Sequence, residues 1–195
     1  MKSILAGISI SIGAIAFLSC DNTFIGASLF SIGLLMVCTF NLNLYTGKVC
    51  YLNRGVSLKQ VIHTWFGNLI GTVLIGTLLR MTRLSSLSIR ATEICDIKLN
   101  DSLLSIFILS MLCNIMIYVG VENFKNNPHY YGKYISLYLG VVVFIVCGFE
   151  HCVANMFYFT LAGVWSIETI KYLLVMTLGN AVGGIAFTRL RKMYI

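Results

Sequence analysis

Long apolar stretches separated by short polar ones dominate this chain, and most are long enough to span a membrane. A helix needs roughly 17–25 largely apolar residues to cross the hydrocarbon core of a bilayer. The pattern predicts six spans: Ser3–Ser19, Phe24–Leu44, Val61–Leu79, Ser102–Val121, Tyr131–Phe149 and Tyr172–Thr188. The fifth continues into a mixed stretch, Glu150–Trp165. We therefore predict an all-α polytopic membrane protein with one transmembrane domain, residues 1–195.

The composition supports this prediction and narrows the range of partners. Hydrophobic residues make up 58% of the chain and charged residues 11%, whereas soluble domains carry about 25% charged residues. The net charge is +7, but the basic residues cluster at span ends, so we expect a lipid bilayer as partner and no nucleic acid. Nine of the 14 Lys and Arg residues fall on the side of the N-terminus. This bias predicts cytoplasmic termini and a plasma or inner membrane location.

The two halves of the chain share short motifs at a fixed distance. Gly67–Gly71 in the third span and Gly179–Gly183 in the sixth both read Gly-Asn-x-x-Gly, 112 positions apart. Asn43–Tyr45 and Asn155–Phe157 are related by the same distance. The glycines also allow close helix packing, but packing does not explain the asparagines beside them. The matched motifs indicate an internal repeat.

Each repeat contains three spans, so the two halves must cross the membrane in opposite directions. We predict inverted repeats over residues 1–90 and 98–195, an architecture found in many transporters. The polar runs Asn43–Lys48 and Asn155–Gly163 predict that the second and fifth helices are broken. Such breaks are tolerated only where protein or a water-lined cavity satisfies the backbone. Two breaks near the bilayer centre predict a narrow, partly polar constriction.

Two titratable residues, Glu150 and His151, lie at the end of the fifth apolar run. Ionisable side chains are costly in hydrocarbon, so they tend to face a protein interior or a water-filled path and to serve function. This pair therefore marks the place where we expect a polar species to be moved or sensed.

The motifs around this pair resemble a known family. Gly148–Phe157, Asn43–Gly47, Cys113-Asn114 and Thr177–Asn180 are similar, in order and spacing, to motifs of the formate/nitrite transporter family. The resemblance implies an aquaporin-like homopentamer in which each protomer has its own pore. It also implies a transporter without a cofactor, not an enzyme. Its expected permeants are small monovalent anions or their acids, such as formate, nitrite, hydrosulfide and lactate.

The resemblance implies roles for individual residues. His151 is the expected central pore histidine, and Thr46 its hydroxyl partner on the loop that breaks the second helix. Lys98 is the expected vestibule lysine, and Lys48 is a further basic candidate for the pore. The predicted pore path comprises His151, Thr46, Lys98, Asn114, Asn180 and Tyr45. The predicted apolar constrictions are Phe30, Leu34, Leu44, Ile117 and Phe144, and the predicted structural supports are Glu150, Asn68 and Asn155. Asn68 is also a candidate for the pore lining.

The chemistry of these residue types predicts a mechanism. Lys98 is expected to concentrate the anion, and the apolar rings then favour the neutral acid because an ion loses its water there. Histidine, with a reference pKa of about 6.5, can donate a hydrogen bond or a proton. The permeant is expected to cross as the neutral acid or beside a transiently protonated His151. The phenol of Tyr45 favours small polar species, and both channel and proton-coupled transport remain open.

The start of the chain affects what we expect of gating. The chain starts almost at its first span, so we do not expect gating by the amphipathic N-terminal segment that many family members carry. A membrane-embedded metal or redox protein using Cys147, His151 and Cys152 is the main alternative, although no Cys-x-x-Cys pair occurs. In the simpler interpretation, Cys38, Cys113, Cys147 and Cys152 are small buried hydrophobic residues with free thiols. A structural or receptor-like membrane protein is a third candidate.

Overall fold

The computed structural model describes residues 1–193, apart from the side chain of Lys192, and every regular element in that range is helical. A short 3-10 turn, Arg83–Ser86, precedes the fifth α-helix. The α-helices are α1 Lys2–Leu18, α2 Thr23–Thr39, α3 Tyr45–Val49, α4 Leu58–Leu79, α5 Leu87–Leu99, α6 Leu103–Asn126, α7 Tyr130–Val146, α8 Cys152–Ala162 and α9 Ile167–Met193.

Three of these helices are long and apolar enough to cross a bilayer alone: Leu58–Leu79, Leu103–Asn126 and Ile167–Arg191. The helices α1, α2, α7 and α8 are apolar but shorter. The predicted second and fifth spans correspond to α2 and α7, and each is followed, after a break, by a further short helix, α3 or α8. The prediction of a helical membrane protein is confirmed in this coarser form.

The break in the second half lies earlier than predicted. The chain leaves α7 at Cys147, turns at Gly148 with a positive φ of 67°, and resumes as α8 at Cys152. The predicted break, Asn155–Gly163, is therefore wrong, since all of it except Gly163 lies in a continuous helix. Residues 152–161 are all buried, so the polar members of this run serve contacts inside the protein. Their mixed composition reflects burial within protein and not a break.

The first break is also shifted. It spans residues 40–44 and contains Asn41 at a φ of 50°, after which α3 begins at Tyr45. Thr46 therefore lies within a helix, not on the loop where the sequence placed it. Both breaks thus end in the first turn of a short helix, and the two pore candidates Thr46 and His151 stand at those helix starts.

The connection between the halves contains a helix that the sequence analysis missed. Helix α5 buries Ala91 and Cys95 and packs against α8. Arg90 anchors it, because the guanidinium donates to the Leu18 carbonyl (Nη1 to O, 3.0 Å) and to the Cys20 carbonyl at the end of α1. These contacts satisfy carbonyls that a helix end leaves without partners.

The repeated glycines bring pairs of helices into close contact. A Cβ atom at Gly71 would overlap the Ile4 carbonyl oxygen on α1, and one at Gly183 would overlap the Met111 carbonyl oxygen on α6. A Cβ at Gly33 or Gly140 would lie 2.8 Å from the carbonyl oxygens of Ser9 and Met116, respectively. Small residues at these positions let the backbones approach, as in other membrane helix pairs.

Candidate functional site

Asn68, on α4, connects the first break to its neighbours. Its Oδ1 accepts from the Tyr45 N–H (2.8 Å) at the start of α3. Its Nδ2 donates to the carbonyls of Asn43 (2.9 Å) and Ser3 (2.7 Å). One side-chain amide thus satisfies the Tyr45 N–H and the Asn43 carbonyl, which the break would leave without partners, and its bond to Ser3 ties the break to α1.

Asn180, on α9, does the same at the second break. Its Oδ1 accepts from the Cys152 N–H (3.0 Å) at the start of α8. Its Nδ2 donates to the carbonyls of Glu150 (2.8 Å) and Ser110 (2.7 Å). Because these backbone bonds engage the oxygen and both protons of the amide, they favour a structural role for Asn180 over the predicted pore lining. The matching contacts favour the same role for Asn68.

The matching contacts also correct the distance between the repeats. The backbone partners of the two asparagines are pairs 107 positions apart: Ser3 and Ser110, Asn43 and Glu150, Tyr45 and Cys152. The asparagines themselves, with the glycines of their Gly-Asn-x-x-Gly motifs, are 112 positions apart. The predicted equivalence of Asn43 with Asn155 is therefore wrong. Helix α3 has 5 residues and α8 has 11, so the second half is longer between its break and its asparagine.

His151 is buried and lies directly before the first residue of α8. Its Nδ1 accepts from the Ala154 N–H (3.1 Å), which makes the imidazole the N-cap of the helix. Its Nε2 lies 3.0 Å from Thr46 Oγ1. Since Nδ1 accepts a hydrogen bond, the ring is neutral with its proton on Nε2, and Nε2 donates to Thr46. The Thr46 hydroxyl proton then has no acceptor among the described residues.

Apolar side chains surround this pair. The rings of Phe30 and Phe144 meet edge to face with centroids 5.9 Å apart. Phe144 also stacks on His151 with centroids 5.7 Å apart. All five residues predicted to form constrictions are buried in one apolar cluster: Phe30, Leu34, Leu44, Ile117 and Phe144. An ion passing between them would lose most of its water, which is unfavourable without compensating hydrogen bonds.

Two cavities adjoin these apolar residues: Phe30 and Phe144 line one, and Leu44 lines the other. The first, which we call the α5-side vestibule, measures about 220 Å³, and its lining includes Phe30, Lys98, Phe144, Glu150, His151 and Asn155. The second, the termini-side vestibule, measures about 440 Å³, and its lining includes Leu44, Lys48, Tyr51, Arg54, Glu122 and Lys125. It lies beside the ends of α6 and α9, since Arg54 Nη1 reaches the Thr188 carbonyl at 3.4 Å.

Lys98 and Glu150 form an ion pair in the α5-side vestibule. Lys98 Nζ donates to both carboxylate oxygens at 2.8 and 2.7 Å. Asn155 Nδ2 donates to Glu150 Oε2 at 2.7 Å. The pair is nearly buried, with side-chain exposures of 12% and 4%. The charge of the predicted vestibule lysine is thus compensated by Glu150, a contact that the sequence analysis did not predict. A signal for it existed, because a buried carboxylate needs a partner.

Two other predicted pore residues, Asn114 and Tyr45, donate hydrogen bonds to backbone carbonyls. Asn114 Nδ2 donates to the Asn180 carbonyl (2.6 Å), while its Oδ1 is buried without a partner among the described residues. The phenol of Tyr45 donates to the Thr177 carbonyl (3.0 Å), which ties α3 to α9. Its proton is therefore directed at the backbone and not at a permeant, so the selectivity expected from Tyr45 lacks support.

The metal-binding alternative also lacks support. Cys147 is exposed, whereas Cys152 is buried in α8. Both ring nitrogens of His151 are engaged in hydrogen bonds. Within residues 1–193, no group of three His, Cys, Asp or Glu side chains is arranged to hold a metal ion.

A buried histidine that lines a cavity at a break between apolar helices is an arrangement typical of helical membrane transporters and channels. Comparison with known protein families identifies the family within this class. The family model described as "Formate/nitrite transporter" matches residues 1–194. The chain therefore belongs to the formate/nitrite transporter family, as its motifs predicted, and members of this family are transporters and not enzymes.

Individual relatives agree with this assignment. The formate channel FocA of Haemophilus influenzae is 27% identical in an alignment of 199 positions, which covers 82% of this chain and 69% of that protein. The nitrite transporter NirC of Salmonella typhimurium is 26% identical and aligns with 100% of this chain and 81% of its own length.

Solved structures share the fold. A pentameric formate channel with formate bound superposes with a TM-score of 0.85 at 26% identity, covering 100% of this chain and 94% of that one. An ion channel of the same family superposes with a TM-score of 0.82 at 24% identity, covering 99% and 88%. At that identity the second likeness supports the fold alone.

Proposed function

We propose that this chain forms a transmembrane pore for small monovalent weak-acid anions such as formate, nitrite or hydrosulfide. The observation that carries the proposal is the buried His151–Thr46 pair, which lies among apolar residues that adjoin the two vestibules. The family of the chain and the formate and nitrite named for its relatives support the same class of permeant.

The geometry of His151 favours a neutral ring in the empty pore. A protonated imidazole donates from both nitrogens, so its Nδ1 would face the Ala154 N–H and α8 would lose its N-cap. Loss of an N-cap costs about 0.5–2 kcal/mol. We infer that His151 donates through Nε2–H to Thr46, and that the Thr46 hydroxyl donates to the permeant. The permeant then crosses the apolar rings as the neutral acid, or beside a histidine that is protonated only briefly.

We further propose that residues 1–90 and 98–195 are inverted repeats in one transmembrane domain. The matching contacts of Asn68 and Asn180, and the matching glycine contacts at Gly33 and Gly140, support this relation. In this arrangement α5, residues 87–99, bridges the two halves.

The assembly and location follow as proposals. A homopentamer with one pore in each protomer is supported by the pentameric formate channel whose fold this chain shares. Both termini are proposed to face the cytoplasm of a plasma or inner membrane, as the distribution of Lys and Arg favours.

Flux measurements in proteoliposomes test the proposal. Formate, nitrite, hydrosulfide and lactate are offered at a series of pH values, and uptake is followed by stopped flow against protein-free liposomes. We expect uptake of the smaller species well above the control, rising as pH falls because more permeant is then in the acid form. Uptake equal to the control for all four anions would contradict the proposed function.

A further inference from the structure

The two vestibules differ in their balance of charge. The α5-side vestibule contains Lys98, which is paired with Glu150. Three cations line the termini-side vestibule, namely Lys48, Arg54 and Lys125, and Glu122 is the one acidic residue in that lining. Within residues 1–193, no carboxylate lies within ion-pair distance of these three cations.

Glu122 does not compensate the three cations, because it is engaged elsewhere. Arg191 Nη1 lies 2.7 Å from its Oε1, and Asn126 Nδ2 donates to the same oxygen at 3.1 Å. The Tyr51 hydroxyl donates to its other oxygen. Arg191 is not part of the vestibule lining, yet its charge is the one paired with Glu122. The cavity therefore retains an excess of positive charge.

The three cations approach the cavity from different elements. Lys48 lies on α3, four positions after the constriction residue Leu44. Arg54 lies on the connection that follows α3. Lys125, near the end of α6, holds its Nζ 5.4 Å from the centre of the Tyr51 ring, which keeps the ammonium beside the cavity. Cations around a concave site with low-dielectric walls raise the local concentration of anions.

We propose that Lys48, Lys125 and Arg54 bind a small monovalent oxyanion or carboxylate in the termini-side vestibule, next to Leu44. This vestibule then collects anions for the pore, and the α5-side vestibule, with its lysine neutralised, attracts them much less. A volume of about 440 Å³ admits such an anion together with part of its water. The proposal rests on the proposed function in one respect, since the bound anion is taken to be the permeant.

A native thiol inside the cavity offers a direct test. Cys38 is partly buried and lines the termini-side vestibule. In a variant with Cys20→Ser and Cys147→Ser, Cys38 is the accessible cysteine that remains, since the other four are buried. The protein in lipid nanodiscs is treated with an anionic sulfonatoethyl or a cationic trimethylammonioethyl methanethiosulfonate. The rate of Cys38 modification by the anionic reagent is divided by the rate for the cationic one, and this ratio is compared with the ratio for a free thiol in solution.

We expect the ratio of the anionic to the cationic rate to be roughly tenfold or more above that of the free thiol, which is the low end of the range for electrostatic attraction. Lys48→Met with Lys125→Met should remove most of this gain, as should high salt. Lys59→Met is the matched control, because Lys59 is exposed on α4 outside the vestibule, and it should leave the ratio unchanged. A ratio equal to that of the free thiol, or one unchanged by the double substitution, would overturn the proposal. So would a thiol inert to both reagents.

This measurement does not require transport. If the ratio shifts as expected while liposomes show no flux, the anion site stands and the proposed pore function is wrong. If flux is present and the ratio does not shift, the pore function stands and the anion site is wrong.

Discussion

The two helix breaks use the same scaffold but carry different chemistry. Each is held by one asparagine, Asn68 or Asn180, that satisfies a helix N–H and two carbonyls. At the position directly before the new helix, the first break has Leu44 and the second has His151. The two positions are 107 residues apart, the distance that relates the backbone partners of the asparagines. The two asparagines thus form a common frame that holds both breaks. The first break then carries an apolar side chain, Leu44, where the second carries a polar one, His151.

The largest effects are expected from the frame. Asn68→Leu and Asn180→Leu should each destabilise the protein by several kcal/mol, because each leaves one N–H and one carbonyl of its break buried without partners, at about 1–3 kcal/mol for each group. If the two breaks are equivalent, the two losses should be similar. Thermal unfolding in detergent, with the exposed-site control Asn100→Leu, measures them. A loss of stability in only one of the two variants would show that the two breaks are not equivalent.

The next largest effect concerns the ion pair that only the second break has. Lys98→Met should be strongly destabilising, by about 3–5 kcal/mol, because it leaves the Glu150 carboxylate buried without its cation. Formate flux should then fall at every pH, and not mainly at high pH as attraction of the anion by Lys98 would require.

Adding Glu150→Gln to Lys98→Met provides the control, since the double variant has no uncompensated charge. Its unfolding temperature should recover most of the loss. A stable Lys98→Met protein with flux reduced only at high pH would show that Lys98 attracts anions directly.

The smallest effect should come from the hydroxyl that joins the two breaks. Thr46→Val removes the donor offered to the permeant and leaves one buried N–H, His151 Nε2–H, without its acceptor, at about 1–3 kcal/mol. Formate flux should fall about fivefold, the loss of about one hydrogen bond, stability should fall less than in the asparagine and Lys98 variants, and Thr46→Ser should retain both. Stopped-flow uptake at one pH distinguishes the variants. Equal flux in the Val and Ser variants would exclude the hydroxyl from the path.

Local motifs predicted much of this site, whereas contacts between distant elements were missed. The sequence indicated the pairing of His151 with Thr46 and the apolar ring because those residues fall within recognisable motifs. It missed α5 and the bond between Lys98 and Glu150, because only the folded chain brings positions 52 apart together. It also matched Asn43 to Asn155, since short motifs in an apolar sequence coincide easily and the lengths of α3 and α8 were unknown.

The central claim is that His151 supports passage of the permeant and adds a dependence on pH beyond that given by the acid fraction of the permeant. The most direct test compares formate flux from pH 5 to 8 in the unmodified protein and in His151→Asn, a range about the reference pKa of 6.5. Asparagine is a good N-cap, so α8 should remain intact, which circular dichroism can check. We predict a pH profile that is flat for the variant once the fraction of formic acid is taken into account. A profile equal to that of the unmodified protein would contradict the account.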